Sequence, residues 1–393
     1  MNLPNDPAIP VPGNLRGEPD CKPRICMSSS RSISTRAFQC PLYEAQDVLI
    51  ATDDVDLICP KPAWGFEFKQ SWQRRLLYRD ITRRLIFQNL GLREIPLNRE
   101  YDLFIAVCQN YWDILYINAI AGWKDSCKSS VCWLDELWSA ELPRFKYWLH
   151  ALKQFDHIFV GSKETAAQLS RVLDRTCHWL PGGVDTLRFS PYPRPPTRSI
   201  DVYSIGRRWH GVHQALRRAA SRGDIFYIHD TFRGLADLEP YDWQQHRDLY
   251  ANVAKRSRYY VVAPAKMDVP GETQGQVDIG FRYFEGAAAG TVMIGQRADC
   301  DAFRELFDWP DVVIEIQPDG ADVEGVLSKL SFEPDRMCTI SRRNSAQALL
   351  RHDWVYRWKV ILNAAGITLS PRMIAREQHL KALANVATHS TST

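Results

Sequence analysis

Short apolar runs alternate with longer helical stripes along most of this 393-residue chain, and their order predicts a layered α/β fold. Asp47-Val48-Leu49-Ile50-Ala51 and Val55-Asp56-Leu57-Ile58 read as two short strands. Residues 70–88 read as a helix with Trp72, Leu76, Leu77, Ile81 and Leu85 on one core-facing stripe, while Arg74, Arg75, Arg79, Arg83 and Arg84 lie off it. Strand-like runs follow at 103–107, 131–134 and 158–160, with helical stretches between them. After residue 197 the alternation restarts, with strands expected at 200–205, 225–228, 259–263, 292–294 and 312–316 and a packed helix over 353–362. Strand, helix, strand, helix implies parallel sheets covered on both faces. Residues 1–40 are rich in Pro, Ser and Arg without periodicity and read as a mobile arm.

The break between the halves is Leu180-Pro181-Gly182-Gly183-Val184-Asp185-Thr186-Leu187-Arg188-Phe189-Ser190-Pro191. Its glycines permit a sharp exit from a strand, and Pro191, Pro193, Pro195 and Pro196 stiffen the chain beyond it. The expected division is an arm (1–40), a first α/β domain (41–196), a second (197–365), and a C-terminal helix and tail (366–393).

Composition removes several classes of function. The net charge is +3, from 49 basic and 46 acidic residues, too balanced for a nucleic-acid binder with a concentrated basic surface. No apolar run approaches the roughly 20 residues that span a bilayer, and residues 1–14 lack the basic start and apolar centre of a secretory signal. Ten cysteines occur without a metal-binding spacing, so reduced thiols and a cytoplasmic location are expected. The arginine-rich helix is read as a solvated basic face; the alternative is docking to an acidic acceptor, a phosphorylated lipid carrier or, peripherally, an anionic membrane surface.

The candidate chemistry centres on residues 280–295, a helix that stops at Gly290 and runs into an apolar strand. Arg282 and Glu285 are the charged groups of its first turns. A helix start attracts anions, and a carboxylate one turn further in can accept hydrogen bonds from a ribose diol. A surface ion pair is the plainer alternative. Arg-x-x-Glu before an Ala/Gly-rich turn and apolar strand resembles the donor-binding element of glycosyltransferases with two facing Rossmann-like domains, the GT-B fold, and is closest to the CgeB-like branch. The Pro-x-Gly-Val-Asp-x-x-x-Phe-x-Pro run of 181–191 resembles the segment closing the first domain of family-4-type glycosyltransferases, and His352-Asp353-Trp354-Val355-Tyr356-Arg357 is similar to a CgeB-like ending.

The resemblance implies a doubly Rossmann-like α/β protein that moves a sugar from a nucleoside-diphosphate sugar to an unidentified acceptor, with no metal or other cofactor. It implies that Glu285 holds the donor ribose and that Arg207, following Gly206, contacts the diphosphate. Lys266, Phe281, Arg282 and His229, at strand ends or the helix start, complete the expected donor site. On the acceptor side, Asp135 and Glu136 follow the strand 131–134 and are the candidate catalytic base, or else a capping pair for the next helix. Asp299-Cys300-Asp301 spells a metal motif but reads as a helix start. An epimerase of the same fold and a silent nucleotide-binding protein are the rival functions.

Overall fold

The computed structural model describes residues 22–76, 87–89, 91–143, 149–231, 240 and 242–389. Its first half contains β1 (Ile25–Ser28), β2 (Val55–Ile58), β3 (Ile95–Pro96), β4 (Tyr101–Cys108), β5 (Ile120–Ala121), β6 (Cys127–Leu134), β7 (His157–Val160) and β8 (His178–Trp179). Its second half contains β9 (Ile200–Ser204), β10 (Tyr227–His229), β11 (Ser257–Val262), β12 (Val292–Gly295) and β13 (Ile314–Glu315). Two parallel sheets result, one ordered β2-β1-β4-β6-β7-β8 and the other β10-β9-β11-β12-β13, with β3 and β5 forming a small separate pair.

Several expectations are corrected. Residues 25–28, assigned to the arm, form a strand between β2 and β4 with all four side chains buried. Four apolar-leaning residues among Pro, Arg and Ser are too short a run to stand out. The strand expected at 47–51 is the second half of the helix Cys40–Thr52, begun at Pro41. That helix is buried around most of its circumference, so no polar period marks it, and a piece of it mimics a strand. Trp72, assigned to a core-facing stripe, is 51% exposed on the helix Phe66–Leu76; the rest of the helix expected over 70–88 lies largely outside the described residues.

The packing also redraws the expected domains. The helix Trp354–Ala364, assigned to the second domain, crosses back onto the first sheet together with the helix Pro371–His389. Trp354, Trp358, Met373 and Leu380 share one core with Met27, Leu42, Leu103, Val107 and Trp133. Trp358 is fully buried, meets Trp133 edge-on at 5.5 Å, and donates from Nε1 to the Ala45 carbonyl at 2.7 Å. Both sheets thereby point their carboxyl ends into one groove.

Candidate active site

The groove is a cavity of about 510 Å³ lined from both halves. Its walls are the residues just beyond strand ends: Gln109 after β4, Asp135 and Glu136 after β6, Gly206 and Arg207 after β9, and Lys266 after β11. Open parallel sheets bind ligands at that edge. Phe281 and Arg282, at the start of the helix Phe281–Ala288, close the floor.

On the second-domain side the cationic groups are held from behind. Glu285 is fully buried, and its carboxylate accepts hydrogen bonds from Arg247, from Arg282, and from Tyr260 Oη at 3.2 Å. Burial alone would raise its pKa, but Arg282 and Arg247 outweigh this and bring it down to about 2. Arg247 reaches onward to the first domain, donating from Nε and Nη2 to Glu44 at 2.8 and 3.2 Å. Glu44 also accepts from the Asp185 N–H at 2.7 Å and Trp354 Nε1 at 3.1 Å. Burial opposes the Arg247 charge, yet the two carboxylates raise its pKa. Arg247 and Arg282 both line the cavity, with the Arg282 side chain 25% exposed.

The remaining donor candidates divide. Gly206 adopts φ +80, a conformation other residues rarely take, and donates its N–H to Asp230 at 2.6 Å. Arg207 lines the cavity and pairs with Asp268, both half-exposed. Lys266 spans the groove: Nζ lies 2.8 Å from Glu136 and 3.2 Å from Glu272.

On the first-domain side, Asp135 and Glu136 do not cap a helix; their N–H groups extend the β4–β6 pairing to Cys108 and Gln109. Asp135 accepts from Gln109 Nε2 at 3.1 Å. Burial, and then the neighbouring Glu136 charge, push its pKa up to about 8. Gly161 is needed here, because a Cβ would lie 2.1 Å from the Asp135 carbonyl oxygen. Asp278, also on the cavity wall, is raised to about 6 mainly by burial. The loop after Lys266 does not hang free: Gln276 accepts from the Ser139 N–H at 2.9 Å and donates to Ser162 Oγ at 2.7 Å.

The structure thus gathers Asp135, Glu136, Gly206, Arg207, Lys266, Phe281 and Arg282 in one cavity. Glu285, expected to face a ribose, stands one layer behind, its oxygens taken by two guanidinium groups and a phenol. His229 is not on the cavity wall; its ring lies 4.7 Å from His213 and 4.8 Å from Tyr227. It ends the strand as expected, but its neighbours turn it toward the helix behind β10. Arg247, Glu44, Asp278 and Gln276 were missed. Arg247 was detectable as a charge on the otherwise buried stripe of Tyr250, Ala251 and Ala254. Among the described residues no group of three or more His, Cys, Asp or Glu could hold a metal ion, and Cys300 is the N-cap of the helix Asp301–Leu306, the helix start expected there despite the spelling.

Residues 204–363 match a family described as glycosyl transferase-like. No curated protein matches the chain. Among solved structures, an α-glucosyltransferase in complex with UDP and a 13-mer DNA containing a HMU base is 12% identical, with a TM-score of 0.51, covering 87% of this chain and 99% of its own. The same coverage and TM-score hold, at 13% identity, for an α-glucosyltransferase in complex with UDP-glucose and DNA containing an abasic site. Anabaena Alr3699/HepE in complex with UDP-glucose is 11% identical, with a TM-score of 0.48 over 87% and 99% of the two chains. The chain has the GT-B fold of two Rossmann-like domains. With the family match over its second half, it is a glycosyltransferase of that fold.

Proposed function

We propose that this protein transfers a sugar from a nucleoside-diphosphate sugar to a hydroxyl-bearing acceptor held by the first domain. One observation carries the reading: two guanidinium groups held by Glu285, one of them (Arg282) at a helix start, share a cavity with a carboxyl whose pKa is raised to about 8. Arg247 and Arg282 would neutralise the diphosphate as the bond from the anomeric carbon to the phosphate oxygen breaks, an electrostatic task that suits fixed cations in a confined site. Asp135 would accept the acceptor's proton as the new glycosidic bond forms, and a base near the working pH is efficient at this. Glu285 in this reading is a positioning residue that holds both guanidinium groups, rather than the ribose acceptor that the resemblance implies.

UDP-sugars are the first donors to test, because the α-glucosyltransferase of similar fold is described with UDP and UDP-glucose. A thermal-shift screen with UDP-, GDP-, ADP- and TDP-sugars should show one class that stabilises the protein, by about 2.7 kcal/mol at a hundredfold excess over Kd. No shift with any of them would overturn the proposal. In turnover, kcat/KM should rise with pH and level off above about 8, and Asp135→Asn should lower it by about 10²–10⁴-fold. The same substitution should stabilise the fold in neutral buffer. A carboxyl whose folded pKa is raised loses its stabilising contribution as pH climbs from its ordinary value through about 8. Activity should persist in EDTA.

A further inference from the structure

The helix Phe66–Leu76 in the first domain turns polar side chains inward and aromatic ones outward. Gln73 is buried, Gln70 donates from Nε2 to Tyr116 Oη at 3.1 Å, and the Arg74 guanidinium lies 4.8 Å over the Trp112 ring. Phe66 supplies the inward apolar contact, 6.3 Å from Tyr116. On the other side Phe68 and Trp72, one turn apart, are 68% and 51% exposed, and Trp64, in the turn just before the helix, is 92% exposed. Phe68 and Trp72 meet edge-on at 6.0 Å, so they form one stripe. Single exposed apolar residues are ordinary, whereas three large exposed rings within nine residues, two of them in contact, mark a contact surface.

The surroundings of the stripe are basic. Lys61, Lys69 and Arg75 are exposed beside it, and Arg93 is drawn alongside by its N–H bond to the Lys61 carbonyl at 2.9 Å. Glu67 and Glu94 are the exposed acids nearby. We propose that this face docks on an anionic lipid bilayer, with the rings among the headgroups and the cations over acidic lipids. Tryptophans with flanking Lys and Arg suit that interface, where a ring's apolar body is buried and its polar edge stays wet. A second copy of the chain would set Lys61, Lys69 and Arg75 against like charges. Nucleic acid would call for cations at the centre of the face, where the rings stand instead. No helix among the described residues is long and apolar enough to cross a membrane, so the contact is peripheral. The inference is independent of the proposed reaction.

The full-length protein should be sedimented with vesicles of phosphatidylcholine alone and of phosphatidylcholine mixed with phosphatidylglycerol. Binding to the mixed vesicles, weakened by salt and nearly absent on phosphatidylcholine, is expected. Lys61→Gln, Lys69→Gln and Arg75→Gln should each lower it by about fivefold, and combined Trp64→Ser, Phe68→Ser and Trp72→Ser should abolish it. Melting curves of these variants should match the parent, since the altered side chains point outward; Trp64→Ser alone serves if the triple variant melts early. The idea fails if mixed vesicles do not bind, or if binding survives the substitutions at the parent level. It fails equally if the stripe drives concentration-dependent dimerisation, or if a DNA duplex binds more tightly than the vesicles.

Discussion

Two buried guanidinium groups in this molecule are each caught between carboxylates from distant parts of the chain, yet their surroundings differ. Arg247 joins Glu44 of the first domain to Glu285 of the second. Arg376, in the helix Pro371–His389, joins Asp353 at 2.8 Å to Asp185 at 2.6 Å. The clusters touch: Asp185 gives its backbone N–H to Glu44 and its carboxylate to Arg376. What separates them is what else each carboxylate holds. Asp353 also accepts from the Thr186 N–H and hydroxyl and from the Val355 N–H, so its cluster is closed by the chain itself. Glu285 instead carries a second guanidinium, Arg282, that reaches the cavity. A closed cluster fixes the crossover between domains, while the other, in the reading proposed above, holds cationic groups for the donor's diphosphate. On that reading the same interaction serves structure or ligand binding according to whether a donor is left over.

The largest expected effect comes from removing the closed cluster's centre. Arg376→Ala leaves two carboxylates without their shared partner and should cost about 3–5 kcal/mol of stability, read by urea denaturation. Donor affinity per folded molecule should be unchanged, as Arg376 does not line the cavity. A matching loss of donor affinity would erase the distinction between the two clusters.

Arg282→Ala tests the open cluster. It should weaken binding of nucleoside diphosphates by about tenfold or more, since a charge-assisted hydrogen bond contributes roughly 1.5–3 kcal/mol. Free nucleoside should bind as before, and calorimetry on both ligands checks this. Stability should fall less than for Arg376→Ala, because Glu285 keeps Arg247 and Tyr260. Equal losses for nucleoside and diphosphate would remove the phosphate role.

How much of this could be read in the sequence depends on the distance over which each contact acts. The strands at 103–107, 131–134, 200–205 and 259–263 were legible because each is a compact apolar run, and the residues just past them line the cavity. Gly290 was legible as a helix stop and has φ +61. The clusters were not: Glu44 and Arg247 are 203 positions apart, and neither spacing nor periodicity links them. Asp185 lay inside a recognisable segment, but its two partners come from the first domain's opening helix and the chain's last one. The helix after residue 353 looked like the end of the second domain because periodicity reports which face is buried, never against what. Glu285 shows a subtler limit. A carboxylate on a short helix that presents its neighbour to a cleft can meet a ligand or can hold that neighbour, and only the position of Arg247 separates the two roles.

The smallest effect is expected at Arg207, which sharpens the comparison from outside both clusters. Its side chain is 42% exposed and pairs with a similarly exposed Asp268, and surface pairs of this kind contribute about 0–1 kcal/mol. Arg207→Ala should therefore leave the melting temperature nearly unchanged. Its effect on a diphosphate ligand should be weaker than that of Arg282→Ala and should shrink further in high salt, where exposed charges are screened. The Arg282 effect should hardly respond to salt, because Glu285 holds that guanidinium in a largely buried setting. Titrating both variants at two ionic strengths separates the cases: a salt-insensitive loss at Arg207 would mean that it, too, is fixed against the ligand and that exposure is a poor guide to which cations in this groove matter.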